Sequence, residues 1–341
     1  MRISICAPFA LAAASALLGG CGGASPAPAT PPAVEPAESH AVKSATACPC
    51  LYAAEGRSVV VYAANASGKA KPLADITGTK ADLQASDVAA DGKGNIYVSD
   101  GTDYGASEDT VTVYAKGATG NVAPIQTISG SKTGLDAPQG IALDPVNGDI
   151  YIANTNGKSV TVYASNANGN VAPAATISGS LTKLFAPWGI ALDSDGNIYV
   201  ANSGGAGITV FAAGANGNVA PLRLIKGTKT ELDDAERLAL DSSTNVYVTN
   251  YIISNGKDSV NAYAAGANGN VKPISKIAGA NTKMKTPAGL AVDGSGEIYV
   301  GNEFDNSAAV NVYAAGANGN VKPIRQILDA KYGGVLGLSI R

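Results

Sequence analysis

One histidine, His40, occurs in 341 residues, alongside one Trp, two Met and four Cys. His40 falls in a Pro/Ala-rich stretch ahead of the first strand-like run. Histidine-dependent general-base catalysis and histidine metal ligation are thereby excluded from the folded part. The chain has no Gly-x-Ser-x-Gly elbow and no phosphate-cradling loop at a strand–helix junction. Past residue 20, no apolar run approaches the length a membrane-spanning helix needs. Charge is sparse, and Lys+Arg number 24 against 27 Asp+Glu. An acidic balance argues against a nucleic-acid partner. The sequence calls for no catalytic residue, metal or cofactor.

Six copies of one phrase are present instead. VVVYAANASGKAKP (residues 59–72) is followed by VTVYAKGATGNVAP (111–124), VTVYASNANGNVAP (160–173) and ITVFAAGANGNVAP (208–221). VNAYAAGANGNVKP (260–273) and VNVYAAGANGNVKP (310–323) complete the set. The anchors Tyr62, Tyr114, Tyr163, Phe211, Tyr263 and Tyr313 lie 52, 49, 48, 52 and 50 residues apart. A period near 50 built from short β-branched runs predicts a radial β array.

A second phrase interleaves with the first: GIALDPVNGDIYIAN from Gly140, GIALDSDGNIYVAN from Gly189, GLAVDGSGEIYVGN from Gly289, and looser copies at Ser86 and Arg237. Each is two apolar runs around an Asp/Gly/Asn turn, a hairpin signal. Four strands a–d per repeat, six times, predict an all-β six-bladed propeller. Strand d, the P-I-x-x-I run, is the most polar and opens with proline. It is expected at the outer edge with its first N–H unpartnered. Strands a and b are nearly continuously apolar, as for strands covered on both faces. Blade one has no strand a before it, and Gly337-Leu338-Ser339-Ile340-Arg341 matches that strand at the far end. The C-terminal strand is therefore expected to complete the N-terminal blade and close the ring. Of 14 Tyr, 11 occupy repeat positions b and c, so most aromatics are core.

The first 20 residues have a short basic start and an apolar core. Leu18-Gly19-Gly20-Cys21 resembles a bacterial lipoprotein signal-peptidase site. That resemblance implies cleavage before Cys21 and acylation of its thiol, hence membrane attachment through lipid. Gly22 in place of Asp is similar to lipoproteins sent to the outer membrane. Residues 21–47 read as an extended Pro/Ala tether and residues 48–341 as the propeller. Cys6 leaves with the leader, so Cys48 and Cys50 remain, in Cys-Pro-Cys. A redox or metal pair is one reading. With no other Cys or His in the domain, a small junction of the tether is the plainer one.

The second phrase resembles the NHL-type propeller repeat at residues 138–154, 187–202 and 287–302. Tyr247-Val248-Thr249-Asn250 is similar to the related YVTN repeats. This resemblance covers about 290 residues and speaks to fold, not activity. Some six-bladed relatives, the gluconolactonase and senescence-marker group, are metal-dependent lactonases with acidic or amide ligands just before the strand-a glycine. The matching positions here are Ser86, Gln139, Trp188, Glu236, Ala288 and Leu336. Glu236 is the one acid among them and Gln139 the one amide, too few oxygen ligands for a hard cation. Asp100, Asn154, Asn202, Asn250 and Asn302 form a substitute shell in principle; as polar residues ending strand b they have a simpler role.

Antiparallel blades put b–c loops and d–a connections on one rim, and a–b and c–d turns on the other. Every non-repeat aromatic in the domain maps to the first: Tyr104, Tyr251 and Phe304 in b–c loops, Phe185, Trp188 and Tyr332 in d–a connections. Each d–a connection also carries a lysine (Lys80, Lys132, Lys183, Lys229, Lys283, Lys331). Variable aromatic loops on a rigid scaffold mark a ligand face; rings that merely plug the funnel are the competing explanation. The expectation is a lipid-anchored envelope protein without catalysis. It would bind a protein, glycan or small molecule through Trp188, Tyr251, Phe304, Tyr104, Gln139 and Glu236. A metal-dependent hydrolase of the lactonase type is the alternative.

Overall fold

Short Val/Ile/Tyr runs between Gly and Asn turns pair with their sequence neighbours, and a run buried on both faces needs a partner sheet on each side. The computed structural model describes residues 49–101, 108–205, 207–251, 258–303, 310–328 and 334–341. Among these, twenty-four strands form six four-stranded antiparallel sheets, a six-bladed β-propeller. In blade four, Pro187–Leu192, Ile198–Asn202, Gly207–Phe211 and Arg223–Ile225 follow one another outward from the axis. The ring closes as expected. Gly337–Ile340 pairs with Cys50–Ala54 in blade one, with Leu51 opposite Ile340 and Ala53 opposite Leu338.

Six apolar wedges, one between each pair of adjacent blades, make up the core. Between blades four and five, Tyr199, Ile208 and Val210 meet Leu238, Val246 and Val248. The strand-c tyrosines are fully buried, and their hydroxyls hold the d–a connections. Tyr163 donates to the Thr133 carbonyl at 2.6 Å and Tyr313 to that of Thr282 at 2.5 Å. Strands b and c are buried along most of their length, with partly exposed residues at Cys50, Ala63, Thr110, Tyr247 and Tyr251. Strand a departs from the expected full cover, because Ala142, Leu143, Ala191 and Leu192 are half-buried. The second half of each inner strand lines an axial channel of about 290 Å³.

Two expectations for the outer edge need correction. The prolines do not open strand d: Pro124 precedes Gln126–Ser129 by two residues, and the Ile125 N–H donates to the Val113 carbonyl at 2.7 Å. Nor is that edge open. The c–d turn of each following blade folds back onto it. Gly169 donates to the Thr127 carbonyl at 2.6 Å, while Asn168 and Asn170 accept the N–H groups of Thr127 and Lys132. Equivalent parallel bridges from Gly68, Gly120, Gly217, Gly269 and Gly319 complete the circle. The repeated Asn-Gly-Asn is thus a blade-to-blade clamp, which covers an edge that would otherwise template aggregation.

Candidate functional site

The inner strands converge at the rim that carries the d–a connections. Five of them shift register against strand b at one place, between Ala85 and Asp87, Pro138 and Gly140, Pro187 and Ile190, Ala235 and Leu238, and Pro287 and Leu290. A bulge re-aims the side chain it carries. The bulged residues here are Ser86, Gln139, Trp188, Glu236 and Ala288, five of the six positions singled out by sequence.

Immediately after them comes a ring position held by glycine in four blades: Gly140, Gly189, Gly289 and Gly337. Crowding explains it, since a Cβ on Gly140 would lie 2.5 Å from the Trp188 carbonyl oxygen. Blades two and five break the pattern with Asp87 and Arg237, and in a ring of six these blades stand opposite each other. Arg237 is buried and its guanidinium reaches three other blades. Nε donates to the Leu336 carbonyl at 3.2 Å, one terminal nitrogen to that of Trp188 at 3.2 Å, and the other to that of Ser86 at 2.7 Å. Nε also lies 3.7 Å from the Asp87 carboxylate. Sequence reasoning missed this pair. Its signal was two opposite charges in a glycine slot, three repeats apart.

Trp188 is half-buried, with the Arg237 guanidinium 5.9 Å from its ring centroid. A stacked cation of this kind holds the indole in place at the axis. Gln139 is fully buried; its backbone carbonyl accepts the Ser99 hydroxyl at 2.9 Å, yet neither polar atom of its amide has a partner among the described residues. The Ser86 hydroxyl is buried and unpartnered too. Both converge on Gly101, where a Cβ would lie 3.3 Å from Gln139 Nε2 and 3.5 Å from Ser86 Oγ. Glu236 is half-buried, and burial pushes its carboxyl up to about 8 against the pull of Arg237. Burial likewise raises Glu303. Tyr251 ends its strand opposite Asp234 and is half-buried. Tyr104, Phe304 and Cys21 lie outside the described residues, as do Tyr332, Lys331, His40 and Cys48.

The strand-b termini are committed to the backbone. Asn154, Asn202, Asn250 and Asn302 are fully buried and accept the N–H groups of Asp136, Phe185, Asp233 and Lys285 at 2.8–3.2 Å. Asp100 does the same for Gln84 at 2.9 Å, with burial pushing its carboxyl up to about 7. They brace the d–a connections and do not form a ligand shell.

These carboxyls set a pH dependence. A carboxyl whose folded pKa exceeds its unfolded value stabilises at low pH, and that contribution is lost as pH rises through the folded value. Burial raises Asp87 to about 6, Asp100 to about 7 and Glu236 to about 8. Melting temperature should therefore fall by several degrees between about pH 5 and pH 9. Glu236→Gln should flatten the upper part of that fall. A profile identical to wild type would refute the assignment to Glu236.

Fold and axis define a closed six-bladed propeller with a cross-axial ion pair beneath a bulged, partly orphaned polar rim. The profile of the SMP-30/Gluconolactonase/LRE-like region matches residues 34–220, more than half of the chain, and the chain belongs to that family. Solved structures share the fold. A chain of the nidogen/laminin complex is 16% identical, with a TM-score of 0.61 over 86% of this chain and 98% of that one. A protein of unknown function from Bacteroides caccae is 11% identical, with a TM-score of 0.60 over 86% and 99%. A 6-phosphogluconolactonase candidate from Bacteroides fragilis is 14% identical, with a TM-score of 0.58 over 87% and 99%. Comparison with curated proteins yields no match.

The metal that the lactonase resemblance implies does not fit this axis. Among the described residues, no three Asp, Glu, His or Cys side chains gather where they could hold an ion. At the centre of the ring stands the Arg237 guanidinium, a fixed positive charge that repels a divalent cation.

Proposed function

We propose that this chain is a lipid-anchored, non-catalytic binding protein of the bacterial cell envelope. It takes an uncharged, hydroxyl-rich ligand of the glycan type at the axial end that carries the d–a connections and b–c loops. The lipoprotein-like Leu18-Gly19-Gly20-Cys21 supports attachment through an acylated Cys21. The misfit of the metal and Arg237 on the axis support a role without catalysis.

One observation carries the ligand reading: the buried, unpartnered amide of Gln139, converging with the Ser86 hydroxyl. Leaving a buried polar group unsatisfied costs about 1–3 kcal/mol, and native proteins retain few of them. Two together at one end of the axis match polar atoms that a ligand supplies. Around them stand an indole, Trp188, and a carboxyl, Glu236, held protonated at neutral pH. An amide, a hydroxyl and a protonated carboxyl each both donate and accept, as sugar hydroxyls require, and a ring offers a face for their C–H groups. In so enclosed a setting each hydrogen bond discriminates strongly.

Gln139→Met keeps the side chain's length and removes its polar atoms. It should leave the melting temperature unchanged or raise it, while weakening binding of neutral oligosaccharides by about tenfold. Calorimetry against a panel of neutral mono- and oligosaccharides checks this. Wild type that binds none of them would overturn the reading, as would a variant that binds like wild type.

A further inference from the structure

The rim opposite the candidate site carries a different pattern. The residue after the proline in each c–d turn is aliphatic and more than half exposed in five blades: Leu73, Ile125, Leu222, Ile274 and Ile324, at 53–61%. Single exposed aliphatics are ordinary, but these share one repeat position. Equivalent positions in a closed ring of like blades lie in one plane normal to the axis.

Charge divides that plane into two arcs. In blades five, six and one, which are consecutive around the ring, the motif is Lys-Pro-aliphatic: Lys272-Pro273-Ile274, Lys322-Pro323-Ile324 and Lys71-Pro72-Leu73. In blades two, three and four the lysine is replaced by alanine (Ala123, Ala172, Ala220). Lys71, Lys272 and Lys322 are exposed, and the six c–d turns contain no Asp or Glu. The acids of this rim belong to a–b turns, apart from Asp75, which follows Leu73 by two residues in strand d of blade one. In the arc, Asp241 and Asp293 accept turn N–H groups and Glu297 pairs with Arg325 at 2.6 Å, while blade one has Arg341 in the corresponding place.

The chain enters the propeller within the same arc. Cys50 sits opposite Ala63, where the blade-one c–d turn begins, and the Ala64 N–H donates to the Pro49 carbonyl at 2.9 Å. Pro49, the first described residue, therefore lies on this rim.

We propose that the Lys-Pro-aliphatic arc of blades five, six and one is a docking surface for an anionic phospholipid bilayer, against which it seats the propeller. A planar set of aliphatics flanked by lysines matches a flat apolar layer beneath negative headgroups, to which each nearby lysine adds attraction. The candidate ligand site then faces away from the membrane. This inference stands apart from the glycan reading, because it concerns the other rim, and apart from acylation, because it is tested without the lipid.

The test is flotation of the full chain carrying Cys21→Ser with vesicles of phosphatidylglycerol and phosphatidylethanolamine, against phosphatidylcholine alone. The unacylated chain should float with the anionic vesicles and stay behind with the neutral ones. Lys71→Glu/Lys272→Glu/Lys322→Glu should lower partition by about tenfold or more. Leu73→Ser/Ile274→Ser/Ile324→Ser should lower it too, whereas Leu222→Ser, on the other arc, should not. All these positions are exposed, and melting curves verify that each variant is folded; the single Lys322→Glu and Ile274→Ser variants, with smaller losses, serve should a triple variant misfold. Failure of the Cys21→Ser chain to float with anionic vesicles would overturn the proposal, as would wild-type flotation by a folded variant of either kind.

Discussion

Deleting Gly337–Arg341 is expected to abolish the cooperative melting transition at physiological temperature, although the segment is five residues at the extreme C-terminus. It supplies the inner strand of blade one, whose ladder runs from Leu51–Ile340 to Ala54–Gly337 and continues with hydrogen bonds from Leu336 to Ala54 and between Arg341 and Cys50. Leu338 is 6% exposed and belongs to the wedge between blades six and one. Emptying such a site costs about 2–5 kcal/mol, and each lost ladder bond about another 1. Against a total stability of about 5–15 kcal/mol, the sum is decisive. Leu338→Ala gives the graded version and should lower the melting temperature by several degrees. A rescue separates loss of the strand from any other effect of truncation. Blade four shows the hairpin geometry, with Leu192 paired to Ile198 across the turn. Moving residues 337–341 ahead of Cys50, joined by a copy of residues 194–196, should restore the transition. A deleted chain that melts within a degree or two of wild type would disprove strand closure.

The closure was legible in the sequence because strand a of blade one is missing where the repeat demands it and present where the repeat has ended. Blade number and strand order were legible for the same reason: six Tyr or Phe anchors at one period leave no other count. The GANGNV turn was harder. Its uniformity reads as a featureless rim, but a turn alone needs one Gly and one Asn. The second Asn is kept because it caps a backbone N–H of the preceding blade, such as Asn170 for Lys132. That contact spans 38 residues and cannot be read from local pattern. At the candidate site, the five bulged positions were found from the repeat. The orphaned state of Gln139 was not, since it depends on Ser86 and Gly101 in the neighbouring blade. Tyr104 and Phe304, placed on the same rim by sequence, fall outside the described residues.

The largest single-residue effect should come from the axis. Arg237→Gly restores the residue that four other blades carry at this position, yet it is expected to destabilise the protein by about 3–5 kcal/mol, or roughly 10 °C. The substitution strands the Asp87 carboxylate in a buried place and leaves the carbonyls of Ser86, Trp188 and Leu336 without their shared donor. Asp87→Gly should cost less. The guanidinium keeps its three carbonyls, and burial already pushes the Asp87 carboxyl up to about 6, so its charge is weakly held. The double variant, with glycine throughout the ring, should recover part of the loss, by about 1–3 kcal/mol relative to the sum of the singles. The loss in Arg237→Gly should also shrink as pH falls towards about 6 and level off below it, because losing the guanidinium raises Asp87 further and a protonated Asp87 no longer buries an unpaired charge. Additive single effects, or a loss that does not vary between about pH 5 and pH 8, would show that the two side chains do not act as a pair. The axis ties this back to binding. Trp188 rests on Arg237 and shares its hydrogen bonds, so Arg237→Gly should loosen the indole and weaken ligand binding as well. Asp87→Gly, which leaves that contact intact, should leave binding nearly unchanged.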